Sequence, residues 1–137
     1  MDTQNEVAER YGPQTVEVEA LLERVRNLTG DETEALRDAW VTARAAAWVA
    51  ARDATRAAAW VAGRRAARDA AWNVARAAAR AAAWDAARVA AWAAWDAVQA
   101  LLVRDLIGQH GFTQEHYDAF VAPWESVMGT EWTRETL

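Results

Sequence analysis

The chain has 137 residues and a net charge of −5, from 15 arginines and no lysine against 20 carboxylates, a length that fits one domain. The absence of cysteine excludes disulfides, thiolate metal sites and thiol catalysis, and makes a reducing, cytoplasmic compartment the expectation. Alanine fills 36 positions and tryptophan nine, whereas isoleucine occurs once and phenylalanine twice, which excludes an ordinary core of large aliphatics over most of the chain.

With two prolines and six glycines, the expected fold class is all-α. The opening ten residues carry acids where a secretory signal needs a basic patch and an apolar run, so no export signal is expected. The longest uncharged run of the alanine-rich middle, Val89 to Trp95, has seven residues against the roughly 18 needed to span a bilayer, and no membrane span is expected. Charge is segregated along the chain: residues 1–35 carry −6, residues 36–96 carry +5 and residues 97–137 carry −4. A basic middle thus lies between acidic ends, which either pair with it or leave it to an anionic partner.

In residues 1–30 an amphipathic helix is expected after Gly12-Pro13, because Val18, Leu21, Leu22, Val25 and Leu28 recur at helical spacing. Gly30 ends it, and Asp31 with Glu34 reads as a capping box for the next helix. From Asp31 there is no proline until Pro123, and Gly63 is the only glycine before Gly108. Residues 31–108 therefore read as one long alanine-rich helix, on the order of 115 Å if unbroken.

Within it, every fourth position from Trp40 to Trp92 is Trp or Arg, including Trp48, Arg52, Arg56, Trp60, Arg64, Arg68, Trp72, Arg76, Arg80 and Trp84. A four-residue period drifts about 40° per step on a helix of 3.6 residues per turn, so the line winds round the rod. Each Trp has an Arg four residues away, close enough for guanidinium to lie over indole, and Arg65 and Asp69 have the spacing of an ion pair. The ten named Trp and Arg positions after Trp40 are candidate partner or packing contacts.

Beyond Trp95, Val98, Leu102 and Leu106 form an ordinary apolar stripe that Gly108 closes. Residues 109–129 are expected to hold short helices, started by Thr113 as N-cap, with Phe112 packing on Tyr117, and broken at Pro123. Residues 130–137 are expected to fray. The flanks hold nearly all the large aliphatics, so Leu21, Val25, Leu102, Leu106, Tyr117, Phe120 and Trp124 are the expected core of a compact head. A hairpin turn between Gly63 and Asn73 would close that head within one chain; a continuous rod needs a second chain. A lone glycine is weak turn evidence, and the reading favours the rod and a homo-oligomeric helical bundle, a dimer or larger.

The run Trp84-Asp85-Ala86-Ala87-Arg88 with the tetrads before it, the closing segment Leu101 to Gly108, and Gly111 to Asp118 with Ala122-Pro123-Trp124 resemble small Ala/Trp-repeat proteins of mycobacteriophages and related actinobacterial phages. The likeness covers roughly residues 36–129. It implies a phage product in a host bacterial cytoplasm, without catalytic residues to carry over.

His110 and His116 lie near Glu115 and Asp118, but their spacing is not that of a ligand set, and no metal or cofactor is expected. There is no nucleophile with a base, no carboxylate pair in an apolar setting and no glycine-rich phosphate loop, so the chain does not read as an enzyme. Two functions remain. The first is a structural or protein-interaction module that associates with itself and binds another protein, a host protein being one candidate. The alternative is nucleic-acid binding through the rod, with arginines on phosphates and Trp48 and Trp84 stacked on bases. Against the alternative stand the overall negative charge and an Arg line whose pitch of about 54 Å differs from the 34–36 Å turn of duplex DNA.

Overall fold

The alanine-rich repeat does not run as one helix. The computed structural model describes residues 10–82 and 85–130 and, within them, every side chain but those of 79, 81, 82, 85 and 86. Trp84, the first nine residues and the expected frayed tail beyond Thr130 lie outside the described residues. Six α-helices follow one another: α1 (Thr15–Arg26), α2 (Gly30–Ala43), α3 (Ala46–Val61), α4 (Arg65–Ala82), α5 (Asp85–Leu102) and α6 (Gln114–Met128), with short 3-10 turns at Gly12–Gln14 and Arg104–Leu106. No strand occurs among the described residues.

Two breaks correct the expectation of a continuous rod. At Arg44 and Ala45 the backbone leaves the helix, with ψ of 66° and then −177°, although neither residue is a helix breaker. At Gly63, with φ of +73°, the chain turns: Arg64 N–H reaches the Ala59 carbonyl at 2.8 Å and Gly63 N–H reaches the Trp60 carbonyl at 3.2 Å, the paired bonds of a glycine helix stop, after which α3 packs on α5 and α6 and α4 on α1 and α5. The lone glycine is thus sufficient to turn the chain. The physical reason lies in the drift of the repeat, since a helix with indoles and methyls on all sides is stable when enclosed by other helices.

The enclosed helix is α5, which packs against α1, α2, α3, α4 and α6. Ala90, Ala93, Ala94, Ala97 and Ala100 are fully buried, and their small side chains let neighbouring helices come close. Toward its end Val98, Leu101 and Leu102 meet Leu21, Leu22, Leu36, Phe120 and Trp124 in the same core. Leu21, Val25, Leu102, Leu106, Tyr117, Phe120 and Trp124 are all buried. The breaks in the repeat let the flanking stripes come together in one chain, which removes the sequence argument for a second chain.

Local corrections follow the same logic. The box that starts α2 is Thr29 with Glu32 rather than Asp31 with Glu34: Thr29 Oγ1 accepts from Glu32 N–H at 3.1 Å and Glu32 Oε1 accepts from Thr29 N–H at 3.0 Å. Thr113 caps α6, accepting from His116 N–H at 3.2 Å, while His116 Nδ1 accepts from Thr113 N–H at 3.1 Å. Pro123 does not break α6, which continues to Met128. An interior proline costs about 3 kcal/mol, and burial of Tyr117, Phe120, Val121 and Trp124 on both sides of it offsets that loss.

Candidate functional site

The helix breaks divide the Trp/Arg line into an inward and an outward part. Inward, the indoles of Trp40 on α2 and Trp48 on α3 donate to the same carboxylate oxygen of Asp96 on α5, at 2.9 Å and 2.8 Å. Asp96 is 4% exposed. Burial pushes its carboxyl up to about 7, against the Trp48 and Trp40 hydrogen bonds and the Arg52 charge, which pull it down. Trp92 leans on Trp40 with centroids 5.2 Å apart, and Phe120 lies 6.1 Å from Trp48. Arg44 lies over Trp40 at 4.8 Å and Arg52 over Trp48 at 5.3 Å. Trp48 therefore builds the core, and the half-exposed Arg52 covers its ring.

Trp72 is half-buried against Trp95, with centroids 5.2 Å apart, and Arg68 stands 5.9 Å from the Trp95 ring. Burial, ahead of the Arg56 charge beside it, holds the Arg68 guanidinium below the ordinary arginine value. Arg64 is structural: it grips Asp105 with two bonds of 2.7 Å and 2.8 Å and donates to the Leu102 carbonyl, which ties the Gly63 turn to the end of α5.

The outward part is concentrated on α3 and α4. Trp60 is 64% exposed, and the Arg65 guanidinium lies over its ring at 5.0 Å instead of reaching Asp69. Arg56, Arg76 and Arg80 are exposed as well. Among the described residues no carboxylate lies within 4.0 Å of Arg56, Arg65, Arg76 or Arg80. Between Arg44 and Ala82 the chain has eight arginines and two aspartates, whereas residues 85–130 hold six carboxylates and two arginines. The basic, Trp-bearing helices α3 and α4 thus stand beside an acidic remainder.

Of the candidate contacts, the structure leaves Trp60, Arg56, Arg76 and Arg80 exposed on α3 and α4 and gives Trp48, Arg52 and Arg64 packing roles. Asp96 was missed by sequence reasoning, and Arg65, expected to pair with Asp69, lies over Trp60 instead. A signal for Asp96 exists: it is the single charge between Val89 and Val103, and a lone carboxylate in an apolar run is a group that burial must satisfy.

His110 is exposed in the turn before α6, and His116 serves the Thr113 cap. Among the described residues no group of three His, Asp or Glu side chains is placed to hold a metal ion, and no helix is long and apolar enough to cross a membrane. Comparison with protein-family models, curated proteins and solved structures finds no match.

Proposed function

We propose that the chain is a non-enzymatic interaction module whose exposed arginines on α3 and α4 dock on an acidic segment of a partner protein. The observation that carries this reading is the set of four exposed arginines, Arg56, Arg65, Arg76 and Arg80, which have no carboxylate within 4.0 Å among the described residues, with Arg65 stacked on the exposed ring of Trp60. Trp and Arg are the side chains that dominate interface energetics, because each covers a large area and keeps a polar handle. A phage product acting on a host protein in the bacterial cytoplasm is the setting that the repeat resemblance suggests.

Single-stranded nucleic acid is the second reading, favoured by the guanidinium stacked on an exposed indole at 5.0 Å. It is the weaker one, since successive bases need successive rings, and Trp48 is buried while Trp72 is half-covered by Trp95. Self-association has a different basis from the one the sequence suggested: the acidic remainder of one copy is a candidate surface for the basic helices α3 and α4 of another.

Titrating the protein with poly-glutamate and with an oligothymidylate of similar charge, at about 50 mM salt and near physiological salt, separates these readings. The proposal expects poly-glutamate to bind more tightly, and the double charge reversal Arg56→Glu/Arg65→Glu to abolish that binding. Tighter, salt-sensitive binding of the oligonucleotide with quenching of tryptophan fluorescence would overturn it, as would no binding of either.

A further inference from the structure

A groove of about 640 Å³ separates the beginning of the described chain and α1 from α4. Arg10 and Arg26 stand on its α1 side. Its α4 side is made by Ala70, Asn73, Val74, Ala77 and Ala78, positions that recur at i, i+3, i+4, i+7 and i+8 and so form one helix face. The floor is three methyl groups and a valine, a surface low enough for a second helix to approach α4 closely. Arg76 and Arg80 follow Asn73 by three and seven residues, which puts them on the helix stripe along the same edge.

The cations at this groove are open to a ligand. Arg10 meets Glu19 at 3.7 Å and Arg26 meets Glu23 at 2.7 Å, but with 54% and 44% of these arginine side chains exposed, such pairs hold weakly and exchange readily for another carboxylate. Arg76 and Arg80 have no carboxylate to exchange among the described residues. Among the described residues no aromatic ring lines the groove, so they offer nothing there for a nucleobase to stack on.

We propose that this groove receives an acidic amphipathic helix of the partner, its apolar stripe on Val74 and the alanines and its carboxylates on Arg10, Arg26, Arg76 and Arg80. The inference rests on the acidic-partner reading above and gives that partner its form. Ala70 to Ala78 rise about 12 Å along α4, so two to three turns of the incoming helix fill the trough. Apolar positions at helical spacing supply the fit, and charge complementarity supplies steering and register.

The test uses the full chain and a labelled peptide of about sixteen residues, built from Leu, Ala and Glu with Leu at helical spacing, beside a scrambled peptide of the same composition. Fluorescence anisotropy is expected to show the patterned peptide binding about tenfold or more tightly than the scrambled one. Ala77→Trp, at an exposed position where the new side chain fills the groove, is expected to weaken the patterned peptide about tenfold and leave poly-glutamate binding unchanged. Circular dichroism checks that this variant is folded. Equal binding of both peptides, or no effect of Ala77→Trp, would overturn the groove while leaving the acidic-partner reading standing. If poly-glutamate also fails to bind, both fall. A dimer of the protein alone that Ala77→Trp dissolves would make a second copy the occupant and overturn the proposal.

Discussion

Trp40 and Trp48 lie on different helices, meet edge to face with ring centroids 5.8 Å apart, and share one oxygen of Asp96 as their acceptor. The break at Arg44–Ala45 falls midway between them, where an unbroken helix would hold their Cα atoms about 12 Å apart along its axis. The break at Arg44–Ala45 and the buried carboxylate are therefore one feature: α2 and α3 separate so that both indoles can reach Asp96.

Removing that acceptor should be costly. Asp96→Ala strands two buried indole N–H groups, at about 1–3 kcal/mol each, and its thermal midpoint should fall by many degrees. Asp96→Asn keeps an oxygen able to accept both bonds and should retain the fold. Equal losses in the two variants would show that the shared acceptor is not what the site requires.

The same carboxylate gives a pH signature. In the folded chain burial holds it near 7, whereas in the unfolded chain it titrates near its ordinary value of 3.8. Between these values the folded state keeps a proton that the unfolded state releases, so this contribution is fully present in acid, is lost as pH rises from about 4 to 7, and is level above. Asp105 acts the other way, because its bonds to Arg64 lower its value and its contribution disappears in acid. Comparing wild type with Asp96→Asn at each pH isolates the Asp96 effect: the variant should gain relative to wild type from pH 5 to pH 8. A pH-independent difference in melting would contradict it.

Stability should divide the tryptophans. Trp48→Ala removes a core side chain, about 3–5 kcal/mol, and Leu102→Ala about 2–5 kcal/mol, while Trp60→Ala loses chiefly an exposed cation–π contact of about 0.5–1 kcal/mol. Urea unfolding of the three variants measures this order, and a Trp60→Ala loss as large as the others would place Trp60 in the core.

Gly63 carries the turn between α3 and α4. A Cβ there meets open space, so Gly63→Ala should cost only the backbone penalty of a positive φ, about 1–2 kcal/mol, with Gly63→Asn less affected. Denaturant midpoints decide it, and a neutral alanine would mean that the turn does not need the left-handed conformation.

The flanking helices were legible because their apolar residues repeat at helical spacing, and Thr113 because a hydroxyl precedes a fresh periodic run. The breaks in the repeat were not. Ala, Arg and Trp all tolerate a helix, and the kink at Arg44–Ala45 comes from what Asp96 requires 50 residues later, outside any local window. The outward site was illegible for a related reason: every Trp in the repeat has nearly the same neighbours in sequence, so the packing partner alone decides that Trp48 is enclosed and Trp60 is not.

Small-angle X-ray scattering with light scattering on the purified protein tests the fold-back of the repeat most directly. A single chain of 15.1 kDa closed at Gly63 should give a radius of gyration of about 14 Å and the pair-distance profile of a globule. A particle of two or more chains with a longest dimension beyond about 100 Å, the length of the unbroken rod, would contradict it.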